Sequence, residues 1–534
     1  MNLSFYNKKI LFLIIWIVLN ILLMVINTFY FHYLYVVIFI NPILAKLLMI
    51  FTILFIKIKN KLMKKKNKLK KYLNDLICLT VTCYCESFDE ILKTLDSLDV
   101  SFEKSKKKSL IIVIFDGICK EENTNNYTWE LLYQKMNKKY KTFSHDYKKN
   151  WKNYETKLDL YSGIYKNLNI IIVVKEKNLG KKDSLNFTRD YSINKLQEDI
   201  SYNMDILVND FSINRKDINI VGSMDADCEV NEDGILNLYN DILIENVMGV
   251  SGIVLPKTNI QKNFWYIIQL TEYYNTQYIT RLCYSLLGKT TCLPGALNLF
   301  DMKYYNDKVR KNFQKIPKEN ELFKSLIALI GEDRRFTGLL LEYNDKKCKT
   351  LINKNTHIYT SLPDTLMRLT TQRRRWNTSS LLNNFIDMKN RKLNLLIKYN
   401  TFSTTLIAYF CLYALYVIIY MIALTPFNEK ILTEFNIFPY ENNTSYYYRV
   451  FIYFITFIII SFQLFFLKIM KNWKERLFYI IGLLFYMFIA IFLIVYLIFY
   501  AVIKLDNLKW GNIKQNKEVD EEVNKNDIII NIEK

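Results

Sequence analysis

Histidine is nearly absent: the 534-residue chain carries three, His32, His145 and His357. A histidine-based metal centre or catalytic triad therefore has almost no raw material. The nine cysteines include no C-x-x-C pair, and Cys83 and Cys85 stand only two apart, which excludes the usual zinc knuckle. Their odd number and irregular spacing read as reduced thiols that serve packing. Glycine (13 residues) and proline (7) are scarce while Lys, Asn and Ile abound, a bias of base composition to which no function is assigned. No G-x-x-x-x-G-K-[ST] spacing occurs, so there is no P-loop. What is present is an unusual pairing: 51% apolar residues, 15% aromatics, and a formal net charge of +21. That pairing fits an integral membrane protein with basic cytoplasmic surfaces, and it also fits an anionic substrate. The length alone implies two or more folded units.

Residues 10–31, "ILFLIIWIVLNILLMVINTFYF", and roughly 33–56 are apolar runs long enough to span a bilayer core of about 30 Å. Lys8 and Lys9 precede the first run, and nine lysines crowd Lys57 to Lys71 after the second. The positive-inside rule places both ends of this hairpin in the cytoplasm. A signal peptide is disfavoured, because no small-residue cleavage site is present and a second span follows directly. Three further apolar runs lie near 402–425, 450–468 and 477–503. The connection holding Asn442 and Asn443, two overlapping N-x-[ST] sequons, has few cations and reads as external; "KIMKNWKER" is basic and reads as internal. The tail "QNKEVDEEVNKNDIIINIEK" reads as poorly ordered.

Between Lys71 and about Met388 no spanning run occurs. Short apolar runs alternate with helical patterns, which predicts α/β units on a largely parallel sheet. "LICLTVTCY" (76–84), "SLIIVIFDG" (109–117), "NIIIVV" (169–174) and "NIVGSMDAD" (219–227) read as buried strands. Open α/β sheets bind ligands beyond the carboxyl ends of their strands, and those ends carry Glu86, Asp116, Asp225 and Asp227. A D-x-D pair can hold a hard divalent cation bridging to a diphosphate, although a solvated turn explains many such pairs. In "NLGKKDS" (178–184), Lys181 could reach a phosphate or a base, but an ordinary basic loop is the simpler reading. "LIGEDRRFTGLLLEY" (329–343) predicts an amphipathic helix with Leu339, Leu340 and Leu341 toward the core. Glu332 or Asp333 in its first turn serves the helix dipole, or one of them acts as a general base. "LPGALNLF" (293–300) is a turn, or a wall for an acceptor. In "TTQRRRWNTSS" (370–380) three fixed positive charges precede a tryptophan. That suits a polyanionic leaving group beside a stackable substrate, and equally a membrane-surface anchor.

Taken in order, "VTCYCES", "LKTLDSL", "IFDG", "NLGKKDS", "DAD", "TEYYNTQYI…LLGKTTCLPG", "GEDRRFTGLLL" and "LPDTLMRLTTQRRRW" resemble the chitin synthases, processive family 2 glycosyltransferases. The similarity covers roughly residues 75–385 and extends weakly to "KWGN" (509–512); it is nearest the division with C-Y-x-E and membrane helices before the catalytic domain. It implies an α/β GT-A type domain, with a mixed, mostly parallel sheet, inserted between transmembrane helices. The implied segments are a transmembrane hairpin with its basic stretch (1–72), a cytosolic GT-A domain (73–360), interfacial helices with QRRRW (361–398), a transmembrane bundle (399–505), and a W-G-N element with a charged tail (506–534).

The resemblance implies transfer of N-acetylglucosamine from UDP-N-acetylglucosamine to a β-1,4-linked chitin chain, with inversion, a divalent metal (Mg2+ or Mn2+), and extrusion across a plasma membrane. By position, Glu86, Asp116 and Lys181 would contact the uridine, and Asp225 and Asp227 would hold nucleotide and metal. Asp333 would be the base. Gln372, Arg373 and Arg375 would grip the diphosphate, Trp376 would stack under the acceptor, and Trp510 would close over the site. A chitin oligosaccharide and a lipid bilayer are the implied partners; a homo-oligomer is compatible with this and nucleic acid is not. After L-P-G this chain has Ala296-Leu297 where the family usually has another residue and then an aromatic. Three spans after the catalytic domain would leave Trp510 outside, so 477–503 is open to reading as a hairpin or a re-entrant segment. Hyaluronan and cellulose synthases share the D-x-D and Q-x-x-R-W logic without this QRRRW context, and a non-catalytic scaffold would not need all of Asp116, Asp225, Asp227 and Asp333.

Overall fold

In the computed structural model the described residues are 5–29, 34–62, 68–72, 75–121, 126–148, 155–257, 263–315, 317–318, 321–424, 467, 470 and 473–506. They form two compact units. One gathers the described parts of Met1–Lys64, Thr258–Leu286 and Leu362–Asn507; the other, those of Lys65–Lys257 and Leu287–Ser361.

The second unit is built on one ten-stranded sheet. Its strands are β1 (Leu76–Cys83), β2 (Lys108–Asp116), β3 (Lys138–Lys148), β4 (Glu155–Tyr165), β5 (Leu168–Lys175), β6 (Ile220–Asp225), β7 (Cys228–Val230), β8 (Val247–Pro256), β9 (Leu297–Asp301) and β10 (Lys349–Thr360). Their spatial order is β3-β4-β5-β2-β1-β6-β9-β8-β10-β7. The central run β5-β2-β1-β6 is parallel, with antiparallel pairings on either side. The four strands expected from sequence are these central ones. Every residue of β1 is buried, as a strand covered on both faces requires. Register places Cys83 beside Phe115, Asp116 beside Lys175 and Thr82 beside Asp225, so four carboxyl ends open at one edge.

The stretch NLGKKDS corrects the expectation of a basic loop. Gly180 is the N-cap, with φ of 90°, and the helix Lys181–Ser192 begins at the first lysine. Lys181 to Tyr191 are all buried although most are polar. The helix packs on β1, β2 and β6, so its charged residues must find partners inside the protein.

The first unit is helical. Two helices, spanning Tyr6–Asn27 and Ile40–Leu62, are long and apolar enough to cross a membrane. The Asn20 amide in the first is satisfied internally: it donates to the carbonyls of Trp16 (2.8 Å) and Tyr409 (3.0 Å) and accepts from the Tyr413 N–H (3.1 Å). The Tyr413 hydroxyl donates to Asn27 at 2.8 Å. The apolar run 402–425 is not one helix. It is divided between Leu395–Tyr409 and Cys411–Leu424, with a break at Phe410. Thr401, Ser403, Thr404 and Thr405 each donate a hydroxyl to a backbone carbonyl three or four residues back, a bonding pattern that bends helices. The run 477–503, open to reading as a hairpin, lies within one continuous helix, Trp473–Ile503. The run 450–468 (Leu467 apart), the sequons at Asn442 and Asn443, Trp510 and the tail lie outside the described residues.

Candidate active site

β1 runs into Tyr84–Glu86, where the Glu86 Oε2 accepts the Tyr84 N–H at 2.7 Å. Ser87 then caps the helix Phe88–Ser105 in a reciprocal capping box with Glu90, fixing the chain just beyond Glu86. From β6 come Asp225 and Asp227; with Cys228 they offer ligand atoms all within 4.8 Å of one another. Burial, with Asp225 beside it, pushes the Asp227 carboxyl up to about 6. Burial also raises Glu86, to about 7, and Asp227 and Asp225 add to the rise. Asp225 disfavours the charge of both Glu86 and Asp227, a local excess of negative potential that a hard divalent cation would neutralise. Burial and Asp227 hold the Cys228 thiol protonated, and it donates to Asp227 Oδ1 at 3.4 Å. The available donors are therefore oxygens, and they fit Mg2+ or Mn2+.

Lys181, first residue of its helix, joins this cluster to a second one. Its ammonium is ion-paired with Asp225 and lies 3.6 Å from Glu332. Burial works against its charge, but Asp225, Asp333 and Glu332 outweigh that and raise its pKa. Glu332 and Asp333 open the helix Glu332–Tyr343 after Gly331, which is left-handed at φ 79°. Leu339, Leu340 and Leu341 of that helix are all buried. The Leu-Pro-Gly turn holds the helix start by two bonds. The Gly295 N–H donates to Asp333 Oδ2 at 2.8 Å, and the Leu293 N–H donates to Thr337 Oγ1 at 3.1 Å. Burial chiefly, opposed by Lys181 and helped by Glu332 and Asp225, pushes the Asp333 carboxyl up to about 7.

Asp116 ends β2 and is buried. Its Oδ1 accepts from the Leu179 N–H at 3.0 Å and from the Lys175 ammonium at 3.4 Å. Lys175 is fully buried and also donates to Asp183 Oδ2 (2.7 Å) and Ser184 Oγ (2.9 Å). Burial disfavours its charge, yet Asp116 and Asp183 more than compensate and raise its pKa.

The QRRRW residues lie in the helical unit, on the helix Leu366–Lys389. Arg373 is buried, donates to Gln372 Oε1 (2.6 Å) and Glu272 Oε2 (2.9 Å), and sits 4.1 Å from the Trp376 ring centroid. Trp376 is 42% exposed, its ring tilted by 57° to that of Tyr273 with centroids 6.3 Å apart. Arg374 is buried, which lowers its pKa, and the neighbouring Arg375 lowers it further.

Of the residues singled out in the sequence, Glu86, Asp225, Asp227, Lys181 and Asp333 fall into one linked set, and Asp116 into the adjoining Lys175 set. Gln372, Arg373 and Trp376 form a third group. Sequence reasoning missed Lys175 and Asp183, and it treated Gly295 only as a turn or wall. Lys175 could have been found. It ends the run "NIIIVVK" as Asp116 ends "IIVIFD", so the strand-end rule that selected one applies to the other.

A mixed sheet with a parallel centre and an acid cluster at its carboxyl edge defines an α/β domain of GT-A type. The chain belongs to the chitin synthase family, whose sequence profile matches residues 50–531. Chitin synthase 8 of Gibberella zeae is 25% identical over 458 residues, covering 82% of this chain and 66% of that protein. Chitin synthase 6 of Mycosarcoma maydis is 26% identical over 352 residues, 58% of this chain and 28% of that protein. The chain thus spans less than two thirds of the relatives' length. Among solved structures, a mannosyltransferase from Pyrobaculum calidifontis, in complex with GDP-Man and Mn2+, aligns with a TM-score of 0.44 at 11% identity. That alignment covers 88% of this chain and 99% of the other.

Proposed function

We propose that the chain is a membrane-embedded synthase that transfers N-acetylglucosamine from UDP-N-acetylglucosamine to the 4-hydroxyl of a growing β-1,4-linked chitin chain. The observation that carries this is the buried Lys181 ammonium, paired with Asp225 of the D-x-D acids and electrostatically coupled to Asp333, a carboxyl of raised pKa. Asp333, held by the Gly295 N–H, accepts the proton of the acceptor hydroxyl as that oxygen bonds to the anomeric carbon. The bond from that carbon to the diphosphate breaks on the opposite face, so configuration inverts. UDP departs with the electron pair, and Lys181 stands beside the site as a fixed cation.

Asp227, with Asp225, would hold the divalent metal, which when bound supplies charge neutralisation to the diphosphate. Glu86 and Asp116 receive the uridine, together with the Lys181 end of its helix. Gln372, Arg373 and Arg375 are assigned to the diphosphate, Trp376 to the acceptor sugar and Trp510 to closure. The two apolar helices span a plasma membrane with the sheet domain in the cytosol, and the product crosses the helical unit processively. The five segments 1–72, 73–360, 361–398, 399–505 and 506–534 remain the proposed functional division, with 263–286 grouped in the helical unit.

Membranes bearing the protein should incorporate label from UDP-N-acetylglucosamine, with Mg2+ or Mn2+, into an alkali-insoluble polymer that chitinase degrades. A chitinase-resistant polymer would overturn the substrate. Asp333→Asn should still bind UDP and lose roughly 10²–10⁴-fold in elongation rate; a normal polymer yield would remove Asp333 from the role of base.

A further inference from the structure

Lys175 is a cation with no exposed surface, placed where an open sheet binds ligands, and the mechanism above does not use it. In register it stands directly beside Asp116 at the ends of neighbouring parallel strands. Its ammonium contacts acids on both sides: Asp116 of β2 at 3.4 Å and Asp183, in the first turn of the helix Lys181–Ser192, at 2.7 Å. The Tyr147 hydroxyl donates to the other oxygen of Asp183 at 3.4 Å, closing the network from β3. The five residues between β5 and that helix are tied down along their length. Glu176 N–H reaches the Lys157 carbonyl (3.1 Å), Lys177 N–H reaches Thr156 Oγ1 (3.1 Å), and Leu179 N–H reaches Asp116 Oδ1 (3.0 Å).

Both donors to Asp116 use the same oxygen. Among the described residues Oδ2 accepts no hydrogen bond. The carboxylate is therefore clamped by one oxygen and presents the other as a pure acceptor. An imide N–H, such as the N3–H of uracil, satisfies such an acceptor. The N3 of cytosine, itself an acceptor, is repelled by it. We infer that Lys175 is a positioning residue for the nucleobase end of the donor site, turning Asp116 so that one oxygen is left to receive a uracil-type imide. The inference rests on the proposed placement of the nucleoside diphosphate at Asp116.

The test is binding of UDP and CDP to the full-length protein, with folding followed by thermal unfolding. Lys175→Met should weaken UDP by about 10-fold or more and reduce the preference for UDP over CDP, while Lys175→Arg keeps UDP within about 3-fold of the parent. A folded Lys175→Met protein with the parent's UDP affinity and UDP/CDP ratio overturns the inference, because a purely structural cation would leave selectivity in place. Should Lys175→Met fail to fold, the double variant Lys175→Met/Asp183→Asn removes the cation together with one of its two acids. Lost selectivity in that folded protein supports the inference, and retained selectivity overturns it. Asp116→Asn separates the two levels. If it leaves UDP affinity and selectivity unchanged, the donor placement itself fails. If it weakens UDP while Lys175→Met does not, only the role of Lys175 fails.

Discussion

Asp333 holds a proton that the same residue in water would have lost, because burial outweighs the stabilising pull of Lys181 and the Gly295 N–H. A carboxyl poised at about 7 can take a proton from a hydroxyl without being a permanent anion in a buried site. The base must be ionised to act, so elongation at saturating donor and metal should rise about tenfold per pH unit below 7 and level off above it. Stability runs the other way. A carboxyl whose folded pKa exceeds its unfolded value near 3.8 binds more protons when folded, so it costs stability as pH climbs from about 4 to about 7. Asp333→Asn should therefore be more stable than the parent at pH 8, by roughly 1–4 kcal/mol, and melt correspondingly higher, and the gap should close near pH 4. A flat rate profile, or a melting gap independent of pH, would contradict this. Asp333 was legible as one of two acids at a helix start. That Asp333 sits against Gly295 depends on two segments 38 positions apart meeting, which no local pattern encodes.

At the scale of elements, the Leu-Pro-Gly turn is a support for the base. A Cβ built on Gly295 would lie 2.6 Å from Asp333 Oδ2 and 2.8 Å from Lys181 Nζ. Both atoms are ends of side chains, so the fold survives Gly295→Ala while the two charged heads are driven aside. That variant should fold, bind UDP within a few fold of the parent, and lose about 10²-fold in turnover; turnover near the parent's would show that the turn is only a turn. The parallel centre of the sheet was legible because its strands are continuous apolar runs ending in acids, and "NIIIVVK" obeys the same rule. The helix Lys181–Ser192 was not. Its residues are mostly polar yet buried from Lys181 to Tyr191, so composition suggested surface, and only tertiary partners such as Asp225 and Lys175 make it stable inside. The break at Phe410 was hidden because hydropathy averages over a run, whereas the break is a single residue leaving helical geometry, at φ −111° and ψ 30°.

Across the whole chain, the first apolar helix and the helices after residue 400 are far apart in sequence and joined in one unit. Trp16 is buried with Leu381, Cys411, Val495, Ile498 and Val502. Hydropathy finds each of these helices but does not say which pack together, because packing between apolar helices in lipid is decided by shape and by a few polar contacts. Asn20 is such a contact: besides the Trp16 carbonyl of its own helix, it bonds the Tyr409 carbonyl and the Tyr413 N–H, 389 and 393 positions away. Asn20→Leu removes all three bonds while keeping the helix apolar and of similar size. The two that cross between helices contribute about 0.6–2 kcal/mol each, so the variant should melt several degrees lower in detergent. Its UDP affinity should stay that of the parent, because the bonds it loses are to the backbone of Trp16, Tyr409 and Tyr413, none of them assigned to the donor. An unchanged melting temperature would mean that apolar contacts around Trp16 alone hold the first helix in place. A loss of UDP binding without a loss of stability would mean that the two units are coupled through this helix, and that the donor site depends on how the membrane helices are assembled.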